Sequence, residues 1–385
     1  MRRFDAIVVG AGPAGSTAAY RLVAGGASVL LLDRAVFPRD KPCGGGVTVR
    51  AARQLPFPID PVVESTIAGF DVRVGRARLL RRADLPIALM TQRRRLDAHL
   101  AERAVEAGAT FRDGVRVTAV RPGEVDAGGE TFSAAVIIGA DGANGTTARA
   151  LGLATDRVHC VALEGNAGYD RVARSPDRDH MLLEFGTVPG GYGWAFPKGD
   201  HLNLGVAGWV SEGPRLRDHL ARLCAAHGVD LDSLTDLRGH RLPMRRPGGA
   251  LAQGCFALIG DAAGLVDPLS GDGMYEAFLS SRLAAEHALA ILAGTSTGFE
   301  AYAADLPRRL DPLVRTSWAA KHALDRFPRT SLAVSRAPYL WPFVVQMLRG
   351  DVAAPRDASG VARIPLKLLG AIARRATARS GIASA

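Results

Sequence analysis

Three glycines, Gly10, Gly12 and Gly15, follow an apolar run from Ala6 to Val9 and precede small residues suited to a helix; a second apolar run then ends at Asp33. Strand, glycine turn, helix, strand and acid, in that order, form the pattern of a dinucleotide-binding βαβ unit. Gly10 permits the tight turn, Gly12 lets backbone approach a pyrophosphate, and Gly15 lets the helix pack on the strand. The helix N-terminus then faces the phosphate charge. Asp33 comes 18 residues after Gly15, where a carboxylate can accept the ribose hydroxyls.

Two later stretches repeat the strand-to-acid arrangement. AAVIIGADGAN, 134–144, ends at Asp141-Gly142, and CFALIGDAAGLVDPLSGDGMYEAFLSS, 255–281, passes through Gly260-Asp261 into a glycine turn and a helix. An acid at a strand's C-terminal end can bind a ribityl hydroxyl. The SGDGM segment, with Gly271, Gly273 and Met274, opens a helix whose amides can face the flavin edge where charge builds on reduction. The dinucleotide expected is therefore FAD.

Two further segments carry candidate chemistry. KPCGGG, 41–46, places Cys43 before Gly44 and Gly45, whose missing Cβ atoms let backbone lie against a flat ring or an extended substrate. Both readings of Cys43 are open: a thiolate activated by Lys41 or a helix N-terminus, or a small polarizable wall residue. GGYGWAFPKGDHLNLGVAG, 190–208, alternates so that Tyr192, Trp194 and Phe196 share one strand face, with Gly193 and Ala195 on the other.

The nucleotide segments, in this order over nearly the whole chain, resemble FAD-dependent oxidoreductases of the para-hydroxybenzoate hydroxylase type. With KPCGGG, the 190–208 stretch and GDAAGLVDPLSGDGMYEA added, the chain resembles the geranylgeranyl reductase family, which saturates isoprenoid double bonds. The resemblance implies cofactor contacts at Asp33, Asp141, Gly142 and Asp261, and further ones at Ala14, Arg34, Cys43, Gly44, Gly45, Arg93 and Val117. Arg93 is the arginine four residues before Asp97, in a run of three arginines. After Asp141-Gly142 the ANGTTAR stretch departs from relatives, keeping only Arg149 of a usual serine and two arginines. The resemblance also implies a lipid cavity lined by Tyr192, Trp194, Phe196 and Pro197, with Cys43 and Tyr192 as the nameable proton donors. The expected partner is a prenyl-chain lipid or prenylated small molecule, and the expected electron donor is NADPH or reduced ferredoxin. FAD monooxygenases share the nucleotide segments. Flavin halogenases also need a lysine beside the substrate tunnel, and none occurs between Lys41 and Lys198.

These residues require an α/β chain. The expected organisation is a discontinuous Rossmann-like FAD-binding domain (1–75, 95–158 and 245–300), an inserted antiparallel substrate sheet (76–94 and 159–244) and a helical C-terminal region (301–385). With 385 residues, 48% of them hydrophobic, the chain can bury a large core. The net charge of +10 is almost all arginine, but no aromatic-interleaved basic patch or helix-turn-helix pattern accompanies it, so nucleic acid is not an expected partner. The four cysteines form no CxxC pair and no zinc spacing, so no metal is expected. The opening apolar run is too short for a signal peptide or membrane span, and a cytoplasmic location is expected. The basic, apolar segment 361–381 reads as a helix able to lie on the inner face of a membrane or to pack on the FAD domain.

Overall fold

The computed structural model describes residues 2–153 and 158–352. Its first layer is a parallel sheet in the spatial order Phe256–Leu258, Glu130–Gly139, Arg2–Val9, Val29–Leu32, Thr110–Arg112. The central strands are buried on both sides, which explains their unbroken apolar runs. The helices Pro13–Ala24 and Met274–Leu292 pack on one face of this sheet through Ala18, Leu22, Leu283 and Ala284. The hairpin of Val117–Arg121 and Glu124–Ala127 covers the other face through Val120 and Val125.

The second layer is a seven-stranded sheet, ordered Thr235–Met244, Val158–Gly168, His201–Trp209, Tyr192–Pro197, His180–Phe185, Gly69–Val74, Ala77–Arg82. The structure differs from the sequence expectation at one boundary. Gly69–Val74 falls within the first segment assigned to the FAD domain, yet it pairs in parallel with His180–Phe185 and antiparallel with Ala77–Arg82, so it belongs to the seven-stranded sheet. The helix Leu216–His227 covers the outer face of this sheet through Leu216, Leu220 and Leu223. A three-stranded sheet of Gly46–Thr48, Ala88–Thr91 and Val63–Ile67 joins the layers. Gly46 pairs with Met90, so the cysteine loop and the entry to the helix Arg93–Glu106 lie side by side at the same end of this sheet.

The C-terminal region is helical where described: Glu300–Arg326, Pro328–Ser335 and Leu340–Arg349. The first half of Glu300–Arg326 buries Tyr302, Leu306, Leu310 and Val314 in the core of the parallel-sheet domain. Its second half crosses to the other sheet, where Trp318 stacks on Trp209 and Lys321 donates to the Gly190 carbonyl. No helix among the described residues is long and apolar enough to cross a membrane. The basic segment 361–381 lies outside the described residues.

Tyr302 tests how firmly this helix is tied down. Its buried hydroxyl donates to the Leu258 carbonyl at 2.7 Å. Tyr302→Phe keeps the packing and removes the bond, and should lower unfolding free energy by about 1–2 kcal/mol in urea titrations. An unchanged midpoint would show that the bond adds nothing to the core.

Candidate active site

One continuous cavity of about 1810 Å³ runs from the glycine turn after the first strand, past the cysteine loop, to the aromatic strand and the C-terminal helices. Its cofactor end is shaped by backbone. Gly10 has φ +103°, and a Cβ there would stand 2.3 Å from the Ala140 carbonyl oxygen; one on Gly15 would stand 1.8 Å from the Gly10 carbonyl oxygen. Gly10, Gly12 and Ala14 line the cavity, whereas Gly15 lies behind it, serving helix-to-strand packing. Asp33 accepts the Ala11 amide at 2.8 Å and the Ala35 amide at 2.9 Å, which fixes its carboxylate at the cavity wall beside Arg34. Val117 lines the same end.

The arginine register is settled by burial. Arg93 points inward and is 6% exposed, and it meets the fully buried Asp97 through two bonds of 2.7 Å; Arg94 and Arg95 face solvent. Burial opposes the charge on Arg93, and Asp97 more than offsets it, holding the guanidinium above its ordinary value. Asp97 also takes Arg39 at 2.7 Å. A Cβ on Gly12 would stand 3.4 Å from Arg39 Nη2 and 3.9 Å from Arg93 Nη2, so two anchored cations converge where the glycine turn leaves room for a diphosphate.

Asp141 accepts the amides of Thr146 and Thr147 and the Thr147 hydroxyl, so its carboxylate organises its own loop while the adjoining Gly142, at φ +77°, lines the cavity. Asp261 also lines it, 3.1 Å from Lys41 Nζ and 3.9 Å from His240 Nε2. Burial raises this carboxyl, but Lys41 and His240 outweigh that and hold it well below the usual carboxylate range. Gly260, Gly271, Gly273 and Met274 complete the wall at the start of the helix Met274–Leu292, where burial pushes Asp272 up to about 6.

Between the two ends lies the cysteine loop. The Cys43 amide donates to Glu164 Oε1 at 2.6 Å, and the half-buried Cys43 thiol accepts the Gly45 amide at 3.3 Å. Burial pushes this thiol up, and Lys41 is engaged by Asp261, so the structure gives no activated thiolate: Cys43 holds its proton at neutral pH. Gly44 and Gly45 are required by their neighbours. A Cβ on Gly44 would stand 2.8 Å from the Phe196 ring, and one on Gly45, at φ +75°, 1.8 Å from Lys198 Nζ.

Tyr192, Trp194 and Phe196 do share the cavity-facing side of their strand. Trp194 is fixed by a 2.8 Å bond from Nε1 to Asn203. Pro197 is a correction: alternation turns it to the opposite side, next to Leu202 in the neighbouring strand, and it does not line the cavity. The Tyr192 hydroxyl donates to the Ser270 carbonyl, and burial, with Asp272 and Asp267, pushes the phenol above its ordinary value. The hydroxyl is thus tied to the loop before the helix Met274–Leu292.

Sequence reasoning missed Arg39, Asp97, Glu164 and Lys198. Glu164 left a trace: it follows Cys160 and Ala162 at strand spacing on the cavity face, an acid in an otherwise apolar row. Lys198 is 3% exposed and donates to the Thr91 carbonyl at 2.6 Å, a long-range pairing without a local signature.

A model of the NAD(P)-binding Rossmann-like domain matches residues 8–51. The menaquinone reductase of Mycolicibacterium smegmatis is 31% identical over 94% of this chain and 95% of its own length. The geranylgeranyl diphosphate reductase of Rhodobacter capsulatus is 33% identical over 75% of this chain and 76% of its own. The chain belongs to the geranylgeranyl reductase family of FAD-dependent oxidoreductases. The crystal structure of a geranylgeranyl bacteriochlorophyll reductase-like protein from Thermoplasma acidophilum shares the family fold, with a TM-score of 0.79 at 21% identity over 98% of this chain and 96% of that one. The cofactor end fits FAD: a glycine cradle that Cβ atoms would fill, two anchored guanidiniums and a carboxylate at each of three strand ends.

Removing Asp97 should expose this dependence. Asp97→Ala leaves Arg93 buried without its counter-charge, a loss of about 3–5 kcal/mol of stability. Arg39→Ala should leave folding intact and weaken FAD binding about tenfold, the effect of losing one charge-assisted bond. Thermal unfolding and FAD titration of the apoprotein measure the two effects separately; equal FAD affinity in Arg39→Ala would remove Arg39 from the cradle.

Proposed function

We propose that this family member saturates carbon–carbon double bonds of an isoprenoid chain carried by a prenyl lipid or prenylated small molecule. The observation that carries the reading is the apolar part of the cavity, lined by Phe70, Met181, Leu183, Phe196, Phe343 and Met347, which reaches the cysteine loop where Phe196 lies against Gly44 and Met181 against Gly46. An extended hydrocarbon gains from burial along such a wall. The names of the two relatives support a substrate with a polyprenyl chain.

Gly10, Gly12, Arg39, Arg93, Asp33 and Asp261 would hold FAD, which when reduced supplies a hydride to one alkene carbon. The chain must then deliver a proton to the other carbon. Cys43 suits that task because its thiol is neutral: the S–H bond breaks, a C–H bond forms, and the resulting thiolate lies near the cations of Arg93 and Lys198. The faces of Trp194 and Phe196 favour positive charge developing on the hydrocarbon. Either NADPH or a reduced ferredoxin serves as the electron source in this reading.

Anaerobic reduction of the holoprotein with each donor, followed by mass spectrometry of added prenyl lipids, tests the assignment. A gain of two hydrogens per reduced bond is expected; a product that gains oxygen only in air would favour the hydroxylase alternative. Cys43→Ala should lower alkene reduction by about 10²-fold or more, the usual contribution of a positioned acid, while flavin reduction is unchanged. Cys43→Ser should recover part of the activity. Wild-type product formation in Cys43→Ala would transfer the proton to another group.

A further inference from the structure

The cysteine loop rests on a buried carboxylate, Glu164, that the chemistry above does not use. Glu164, 8% exposed, reaches across from the substrate sheet to take the Cys43 amide at 2.6 Å. At the next turn of the loop, the Gly45 carbonyl accepts twice from Thr91, from its amide at 2.8 Å and from its hydroxyl at 3.2 Å. Lys198 occupies the space a Gly45 side chain would need. The loop is therefore held at one point by a strand it does not belong to, and the holder is ionisable.

We propose that Glu164 is a proton-sensitive latch, a positioning residue that holds the Cys43 amide and sets, by its own charge, the reactivity of the Cys43 thiol. Two observations support this beyond the hydrogen bond. The groups facing Glu164 come from every element around it: Asp40 and Cys43 from the loop, Arg93 from its helix, Lys198 from the turn after the aromatic strand, and Arg238 as its neighbour in the adjoining strand. Burial, with Asp40 assisting, raises the Glu164 carboxyl to about 7 against the pull of the Cys43 amide, Lys198 and Arg93, so its charge changes near neutral pH. The link to Asp40 continues to solvent, since Arg238 bridges Asp40 at 3.2 Å and both are partly exposed.

The sign follows from electrostatics. Below about pH 7 Glu164 is neutral and Cys43 feels chiefly burial and Arg93; above it, the new carboxylate opposes thiolate formation. As pH rises, thiolate should accumulate, slow through a shoulder near neutrality, and then resume. The inference rests on the site assigned above but not on its reaction, because thiol chemistry is measured without substrate or turnover.

The experiment is iodoacetamide alkylation of the holoprotein from pH 5.5 to 9, resolved by peptide mass spectrometry so that Cys160, Cys224 and Cys255 are followed separately. Wild type should show the shoulder at Cys43. Glu164→Gln should give a single line without it and alkylate faster above neutral pH, by about tenfold for a one-unit change in thiol acidity. Lys198→Met, which removes a cation favouring the carboxylate, should move the shoulder to higher pH. A featureless wild-type profile overturns the latch even if neither variant folds. A shoulder that persists in Glu164→Gln also overturns it. A shoulder present in a protein that reduces no prenyl lipid would leave the latch standing and the reductase reading fallen, and the converse separates them equally.

Discussion

A single fully buried carboxylate, Asp97, carries much of this architecture. It takes Arg93 from its own helix and Arg39 from the loop after the second strand, and thereby joins the small connecting sheet to the nucleotide cradle. Two guanidiniums share this one buried carboxylate, so Asp97 balances only one of their two charges. That surplus is oriented toward the Gly12 turn. A diphosphate is the ligand whose charge balances it, and the glycine turn supplies the room.

The cavity belongs to no single layer. The parallel sheet provides the acids at its strand ends, the seven-stranded sheet the aromatic wall, and the C-terminal helices the apolar cover through Leu340 and Phe343. The cysteine loop stands where these meet. Its two glycines are close-packed: one lies against Phe196, a wall residue, and the other against Lys198, a buried cation. The cofactor end and the aromatic wall thus meet across a strip of backbone whose one cavity-lining side chain next to the glycines is Cys43.

How much of this was legible in the sequence depended on the range of the interactions. The βαβ unit could be read because Gly10, Gly12, Gly15 and Asp33 lie within one local motif, and the aromatic face because alternation is a property of a single strand. Arg93 was named on resemblance, but only burial distinguishes it from Arg94 and Arg95. At Pro197 the strand's own period turns the side chain away from the cavity, although the resemblance alone puts it on the wall. Glu164 and Lys198 act on residues far away in the chain, and no local spacing encodes a bond from Glu164 to Cys43 or from Lys198 to Thr91. The strand Gly69–Val74 joined the substrate sheet for the same reason: its parallel partner, His180–Phe185, is distant in sequence.

The long helix Glu300–Arg326 works as a strut. One end is embedded in the parallel-sheet domain by Tyr302, Leu306 and Leu310, while the other is clamped to the substrate sheet by Trp318, Lys321 and Asp325, which takes the Gly190 amide at 2.7 Å. Its two prolines, Pro307 and Pro312, cannot donate backbone hydrogen bonds, and both lie within the portion buried in the parallel-sheet domain, before Val314. Any motion that widens the gap between the sheets must therefore either break the Gly190 clamp or bend the helix between Val314 and Trp318. The turn that begins the aromatic strand is thereby tied mechanically to the parallel-sheet domain.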